Sequence, residues 1–119
     1  MKRSTSEKSP VRVALYARSA VGGVETQLDA LRAFVRLRRA RGADWVIAGT
    51  FADAGVMAPN WREALPPELE RLIAFTKAGH VDIVLVSRVS RISYTLQGAF
   101  GFADLLWCHG AKLVMANNT

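Results

Sequence analysis

The sequence predicts an α/β protein of three layers, in which helices cover both faces of a mainly parallel four-stranded sheet. Apolar stretches with the strand period alternate along the chain with amphipathic stretches of helical period. Residues 81–86 are almost all apolar and β-branched, which is typical of a strand buried on both faces of a parallel sheet. The chain has 119 residues, half of them hydrophobic, which is enough for one domain with a core.

The first half of the chain predicts a strand, a helix and a second strand. Residues 11–17 alternate between two faces with period two, as a strand requires. Apolar residues then recur at the helical period over residues 24–41, and Gly42 suits the end of that helix. The apolar run 45–51 predicts the second strand, and residues 52–66 predict a loop.

The second half predicts two more helices and two more strands. A helix begins at Pro67, a residue type favoured in a first turn, and stops at Gly79. The elements that follow are a strand at 81–86, a loop at 87–94, a helix at 95–109 and a strand at 112–116. Right-handed crossovers between successive strands make the sheet parallel and place helices on both of its faces.

Composition narrows the class of protein. Residues 1–10 predict a flexible basic tail, and residues 11–119 predict the folded domain. The net charge of +6 and the pI of about 10.3 suit a nucleic-acid partner, or a merely basic soluble domain. No signal peptide or membrane span is visible, so we expect a cytoplasmic protein. Cys108, His80 and His109 are too few for a zinc site, so we expect no metal and no disulfide framework.

The loops that follow the first three strands should meet at one edge of the sheet. They bring together the side chains of Arg18, Ser19, Asp53, Arg88, Ser90, Arg91, Ser93 and Tyr94. The three arginines suit a phosphate group, since guanidinium donors bind phosphate oxygens in pairs. The alternative is that these arginines are surface groups or pair with Asp53 and Asp82. No glycine-rich phosphate loop is present, so no nucleotide cofactor is expected.

An ordered set of motifs indicates a family. They are VALYARSA (13–20), Gln27 with LDALRAF (28–34), FADAG (51–55), PELERLI (67–73), VDIVLVSRVSRIS (81–93) and GAKLVMAN (110–117). With these motifs the chain resembles the N-terminal catalytic domain of the serine site-specific recombinases, the resolvase/invertase family. The resemblance covers about residues 11–117 and implies a resolvase-like fold with a flavodoxin-like arrangement.

The resemblance also implies a chemistry. In the family a serine attacks a DNA phosphodiester to form a phosphoseryl link, arginines stabilise the transition state, and no cofactor or metal takes part. Positive charge at the phosphoryl oxygens is what such a reaction needs. The family-like site residues that this sequence retains are Tyr16, Arg18, Gln27, Asp53 and Arg91.

Other positions depart from the family pattern. Ala20 stands at the position of the nucleophile, and Ser19, one residue earlier, faces the other side if the strand continues. Pro66, Ser90 and Tyr94 stand where the family has an arginine, an acid and a second arginine. We therefore expect a catalytically inactive domain that binds DNA or a protein, such as a full-length recombinase, in a regulatory role.

Two alternatives to this expectation stay open. One is an active site-specific recombinase, or a fragment of one, that uses Ser19, Ser90 or Ser93 as its nucleophile. The other is a flavodoxin-like domain that binds a small phosphate-bearing ligand at the edge formed by Arg18 and Arg91.

The arginines of the first predicted helix are the candidate DNA-binding surface. The candidate residues are Arg32, Arg36, Arg38, Arg39 and Arg41 on that helix, together with Arg88. The alternative is a solvated face, since cations suit the end of a helix.

Two tryptophans and the chain end complete the predictions. Trp107 is expected to pack in the core, with a protein contact as the alternative, and for Trp61 neither is favoured. The chain stops after the fourth strand, where family members continue into a long helix and a DNA-binding domain. We therefore expect both parts to be lacking, and the oligomeric state stays open.

Overall fold

Strands and helices alternate along the chain in the order that the sequence predicts. The computed structural model describes residues 9–21, 23–55, 65–93 and 95–116. The elements are β1 (Val11–Ser19), α1 (Val24–Ala40), β2 (Trp45–Ala54), α2 (Pro67–Lys77), β3 (Ile83–Val86), α3 (Leu96–Cys108) and β4 (Lys112–Met115), with a 3₁₀ turn at Val89–Arg91. No helix in these ranges is both long and apolar enough to span a bilayer. Most of the predicted tail, together with Trp61 and Tyr94, lies outside the described residues.

The four strands form one parallel sheet in the order β2-β1-β3-β4. Two strands run further than predicted, because β1 and β2 stay paired through Arg18 with Asp53 and through Ser19 with Ala54. The N–H of Gly55 then donates to the carbonyl of Ser19 at 2.6 Å. Both strands therefore continue past the predicted ends at residues 17 and 51, and the candidate residues Arg18, Ser19 and Asp53 lie on strands.

Side chains of β1 alternate between two apolar cores, one on each face of the sheet. The core on the first face joins Val13, Leu15 and Ala17 to the buried stripe of α1, which is Leu28, Leu31 and Val35. The core on the second face joins Ala14 and Tyr16 to α2 and α3 through Leu69, Leu72, Phe102 and Leu106. The three-layer arrangement that the sequence predicts is thereby confirmed.

A salt bridge links β1 to the segment before β3 at the amino ends of these strands. The Nε and Nη2 groups of Arg12 donate to the two carboxylate oxygens of Asp82 at 2.9 and 3.0 Å, and the Arg12 main-chain N–H donates to the same carboxylate at 2.8 Å. The side-chain hydrogen bond from Arg12 lowers the pKa of Asp82. Asp82 thus pairs with Arg12 of β1, and the link ties β1 to the segment that enters β3.

Candidate active site

The carboxyl end of β1 divides the candidate residues between the two faces of the sheet. Tyr16 and Arg18 point to the face that carries α2 and α3, whereas Ser19 points to the face that carries α1. All three are buried. Asp53 lies beside Arg18 in the register of β2.

The carboxylate of Asp53 accepts three hydrogen bonds. The Tyr16 hydroxyl donates to Oδ2 at 2.8 Å, and the main-chain N–H groups of Glu68 and Leu69 donate to Oδ1 and Oδ2, both at 3.0 Å. These two N–H groups lie in the first turn of α2, where no side chain of the preceding Pro66 provides a cap. Asp53 is 4% exposed and caps α2 from a neighbouring strand, where an anion is favoured by the helix dipole.

Tyr16 supplies the hydroxyl at the centre of this arrangement. Its side chain is fully buried. Burial raises the pKa of Tyr16 far above its ordinary value, and the hydrogen bond to the Asp53 carboxylate raises it further. The hydroxyl therefore remains protonated and continues to donate to Asp53 under ordinary conditions.

Arg18 directs its guanidinium at main-chain carbonyls. Its Nε donates to the carbonyl of Arg91 and its Nη2 to the carbonyl of Ser90, both at 3.0 Å. The residue is 1% exposed. Arg18 thus holds the 3₁₀ turn after β3 against the end of β1, and it is a buried residue rather than a surface group.

Gln27 of α1 holds the main chain of the same residue from the opposite face. Its Oε1 accepts from the Arg18 N–H at 3.3 Å, and its Nε2 donates to the Arg18 carbonyl at 2.9 Å. The register of β1 with β3 ends at Leu15 and Leu85, so the amide takes the place of a strand at Arg18. Gln27 therefore fixes where β1 ends.

The serines near the site make local hydrogen bonds. Ala20 is exposed directly after β1, whereas the Ser19 hydroxyl is buried and accepts from the Val21 N–H at 3.3 Å. Ser93 is also buried, and its Oγ accepts from the N–H of Thr95, the N-cap of α3, at 3.1 Å. Ser90 is half-buried and presents its carbonyl to Arg18. Ser19 lies on the far face from Arg18, as the one-residue step predicts.

The two other arginines of this edge lie on the α1 side. Arg88 and Arg91 line an open groove of about 450 Å³, together with Gln27, Phe34 and Leu37 of α1. The Nε of Arg91 donates to Ser87 Oγ at 3.3 Å. Arg18 lies on the other face, so the three arginines do not converge on one point as the sequence suggested.

The arginines of α1 lie toward the opposite edge of the sheet. The Arg38 guanidinium stacks on the rings of Phe34 and Trp45, at 5.0 and 5.6 Å from their centroids, and Trp45 begins β2. Arg32 pairs with Asp29 at 3.1 Å. Arg36, Arg39 and Arg41 are exposed. Arg88 lines the groove that Phe34 and Leu37 of the same helix also line.

Of the remaining predictions from the sequence, the one for Trp107 needs correction. Trp107 is 73% exposed on α3, so the expected core position is wrong. The helical period alone did not show which side of α3 Trp107 occupies. The buried face of this helix is already filled by Ala99, Phe102 and Leu106. His80 and His109 are exposed at helix ends. Within the described ranges, no three side chains of metal-ligating type lie together.

Comparisons with known proteins agree on one type of domain. Residues 13–119 match the family model described as resolvase, N-terminal domain. A comparison with curated proteins gives no match.

Three solved structures show the shared fold. The catalytic domain of TP901-1 integrase is 23% identical with a TM-score of 0.73, over 89% of this chain and 77% of that one. A resolvase-family recombinase from Streptococcus pneumoniae is 21% identical with a TM-score of 0.72, over 91% and 73%. The catalytic domain of ISC1926 TnpA, an IS607-like serine recombinase, is 18% identical with a TM-score of 0.71, over 89% and 67%.

The cap on α2 predicts a loss of stability in the variant Asp53→Asn. All three partners of Asp53 donate to it, so an amide group sets one donor against another, and we expect a loss of about 2–4 kcal/mol in the free energy of unfolding. Urea unfolding followed by circular dichroism measures this loss. The control is Asp29→Asn, whose exposed carboxylate pairs with Arg32 and should cost less than about 1 kcal/mol. Equal losses in the two variants contradict the assignment.

Burial of Tyr16 predicts a stability that declines in alkali. The raised pKa keeps the folded state protonated, while the unfolded state ionises near pH 10, so the stabilising contribution is full below about pH 10 and falls as the pH rises beyond it. The slope approaches 1.36 kcal/mol per pH unit for this one group. Urea unfolding at pH 9 and pH 11 should show a smaller decline for Tyr16→Phe than for the wild type. A decline of the same size in both proteins rules out this role for Tyr16.

Proposed function

The chain belongs to the resolvase family through its N-terminal domain, and from this premise we propose that it binds duplex DNA without cleaving it. The observation that carries the proposal is Ala20, which occupies the exposed end of β1 where the family pattern has its serine. A methyl side chain offers no atom that can attack phosphorus.

The neighbouring serines are poor replacements for the missing nucleophile. Ser19 is buried on the α1 side of the strand, and Ser93 is buried against the N-cap of α3. For either hydroxyl to reach a phosphodiester, the end of β1 or the start of α3 must reorganise. The half-buried Ser90 belongs to the turn that Arg18 holds by its main chain.

The loss of positive charge adds to the loss of the nucleophile. Pro66 and Tyr94 stand at positions where the family pattern has guanidinium groups, and a preorganised donor contributes roughly 3–4 kcal/mol to a transition state. A single compensating change does not restore both a nucleophile and these donors.

The family-like residues that remain also make contacts that stabilise the folded domain itself. Asp53 caps α2 and is held by the Tyr16 hydroxyl, Arg18 holds the 3₁₀ turn, and Gln27 holds the end of β1. Each of these contacts supports the sheet whether or not a phosphodiester is bound. This explains how the site can lose its reaction and still keep these four residues.

The exposed arginines of α1 are the surface proposed to contact DNA. Arg32, Arg36 and Arg39 lie at spacings of four and three and therefore share one stripe of the helix. Arg36 and Arg39 are exposed, with side chains long enough to reach phosphate oxygens. The net charge of +6 favours a polyanion in the same way.

Cleavage is tested on supercoiled plasmid in a buffer containing ethylene glycol, with a cleavage-competent serine recombinase as positive control. We expect neither nicked plasmid nor a covalent serine–DNA adduct, because the end of β1 carries Ala20. Nicking by the wild type that is lost in Ser19→Ala or Ser90→Ala would establish the alternative of an active recombinase.

DNA binding is tested by fluorescence anisotropy with a labelled duplex over a range of salt concentrations. We expect the double variant Arg36→Ala/Arg39→Ala to bind more weakly, and the slope of log K against log salt to fall by about 2 because two phosphate contacts are lost. The double variant Lys77→Ala/Lys112→Ala removes the same charge from exposed positions elsewhere and is the control. Absence of binding at low salt, or equal loss in both variants, refutes this surface.

A further inference from the structure

The strand β2 is an open edge of the sheet. The strand order gives it β1 as its neighbour, and among the described residues no strand pairs with its outer side. Proteins commonly protect such an edge with lysine or proline. Residues 45–52 contain no charged side chain and no proline, although the chain holds 16 lysines and arginines. The outer edge of β2 is therefore a template on which another extended chain can pair.

The main-chain groups that this edge presents follow from the pairing with β1. The N–H of Gly55 donates to the Ser19 carbonyl, so Gly55 directs this group toward β1. Successive residues of a strand in a parallel pair direct their main-chain groups to alternate sides, and the register has no shift in this part of β2. The groups of Thr50, Ala52 and Ala54 therefore point away from β1, where they can bond to an added strand.

An apolar groove of about 570 Å³, here called the β2 groove, lies between this edge and α2. Its aromatic side is formed by Phe51, Phe75 and His80, whose ring centroids follow one another at 5.7 and 5.0 Å. On the helix, Ala74 and Ala78 line the groove and are exposed. Small side chains on one wall and rings on the other leave room for an apolar side chain.

Gly49 brings the groove directly against the main chain of the edge. A Cβ atom at this position would lie 2.9 Å from Cε1 of Phe51 and 3.4 Å from Cε2 of Phe75. The Phe51 ring therefore keeps its place because residue 49 has no side chain. A side chain that enters the groove consequently lies beside the main-chain groups with which its own backbone would pair.

Charge selects among the extended segments that could bind. Arg71 lines the groove, where its guanidinium lies 5.4 Å from the centroid of the Phe51 ring, and no carboxylate of the described residues lines it. The bonds from Arg71 to Glu68 use Nη1 alone, which leaves Nε and Nη2 as donors. A carboxylate can accept both of these donors, so acidic side chains next to the apolar one are favoured.

We propose that the outer edge of β2 and the β2 groove bind an extended acidic segment of a partner protein by strand addition. Main-chain hydrogen bonds to residues 50–54 hold the segment, and an apolar side chain of the segment enters the groove. Alternate side chains of a strand face the same side, so an acidic residue two positions away faces Arg71. The groove lies on the α2 side of the sheet, and the proposal is independent of DNA binding and of the missing nucleophile.

Binding of short peptides to the full chain, without DNA, tests the proposal. The probe is the fluorescent peptide Thr-Asp-Val-Phe-Val-Asp-Thr, whose phenylalanine and two aspartates face one side of an extended strand. We expect a Kd below about 1 mM by anisotropy. Replacing the phenylalanine with alanine, or both aspartates with lysine, should weaken binding about tenfold. A wild-type chain that binds none of the three peptides, or all three equally, overturns the proposal.

Two pairs of variants separate the edge from the groove. Thr50→Pro removes an outward N–H and no bond to β1, so it should weaken binding about tenfold, whereas Thr50→Val keeps that N–H and should bind like the wild type. Ala74→Trp fills the groove and should weaken binding as much, whereas Ala30→Trp at an exposed position of α1 should not. Circular dichroism checks that each variant is folded. Equal binding within the first pair refutes strand addition, and equal binding within the second refutes the groove.

A second copy of the chain is the other occupant that an open edge can take. Sedimentation velocity of the chain alone distinguishes the two occupants. We expect the wild type and Thr50→Pro to sediment alike. A dimer that Thr50→Pro dissociates places a second copy on the edge and overturns the proposed partner segment.

Discussion

The carboxylate of Asp53 fixes the relative positions of two strands and a helix. It lies on β2, accepts from Tyr16 of β1 and receives two main-chain N–H groups of α2. A buried carboxylate is costly without such donors, and the start of a helix is costly without an acceptor. Each cost is offset by the other group, so the first turn of α2 must lie against the end of β2. The Tyr16 ring is thereby held in the core between the sheet and α2.

The contacts that hold the fold together also explain why the guanidinium groups do not gather at one point. Arg18 is used on the α2 and α3 side of the sheet, where it joins β1 to the turn after β3. Arg91 belongs to the groove on the α1 side, and the arginines of α1 lie toward the amino edge. Among the described residues, the sheet thus separates Arg18 from Arg91 and from the arginines of α1, and the proposed DNA surface lies on the α1 side.

Most of the fold follows from the sequence because it rests on periodicity and on glycine and proline signals. The apolar run before residue 87 and the buried stripe of α1 were sufficient to predict their elements and the layers they occupy. The ends of β1 and β2 were not predictable from these signals, because pairing beyond Ala17 depends on Asp53 and on the Gln27 amide.

The candidate site was predictable only in part. Strand order brings Arg18 and Asp53 side by side, as expected from the carboxyl ends of parallel strands. Besides Tyr16, Asp53 accepts from two main-chain N–H groups, and Arg18 donates to two main-chain carbonyls, which no pattern of residue types displays. The two prolines before Glu68 were the available hint that α2 needs an acceptor from elsewhere. Trp107 was misplaced because an apolar residue in an amphipathic helix is assigned to the core unless the buried face is counted first.

Arg18 has a consequence for how this edge of the domain can vary. Its guanidinium recognises the carbonyl oxygens of Ser90 and Arg91, and every residue type carries such an oxygen. The docking of the turn is therefore indifferent to which side chains stand at those two positions. An acid can become a serine at position 90 while the backbone stays in place. The main-chain contacts that hold the turn are therefore independent of the side chains that the turn presents. Those side chains, and the chemistry that they carry, can be lost while the turn stays in place.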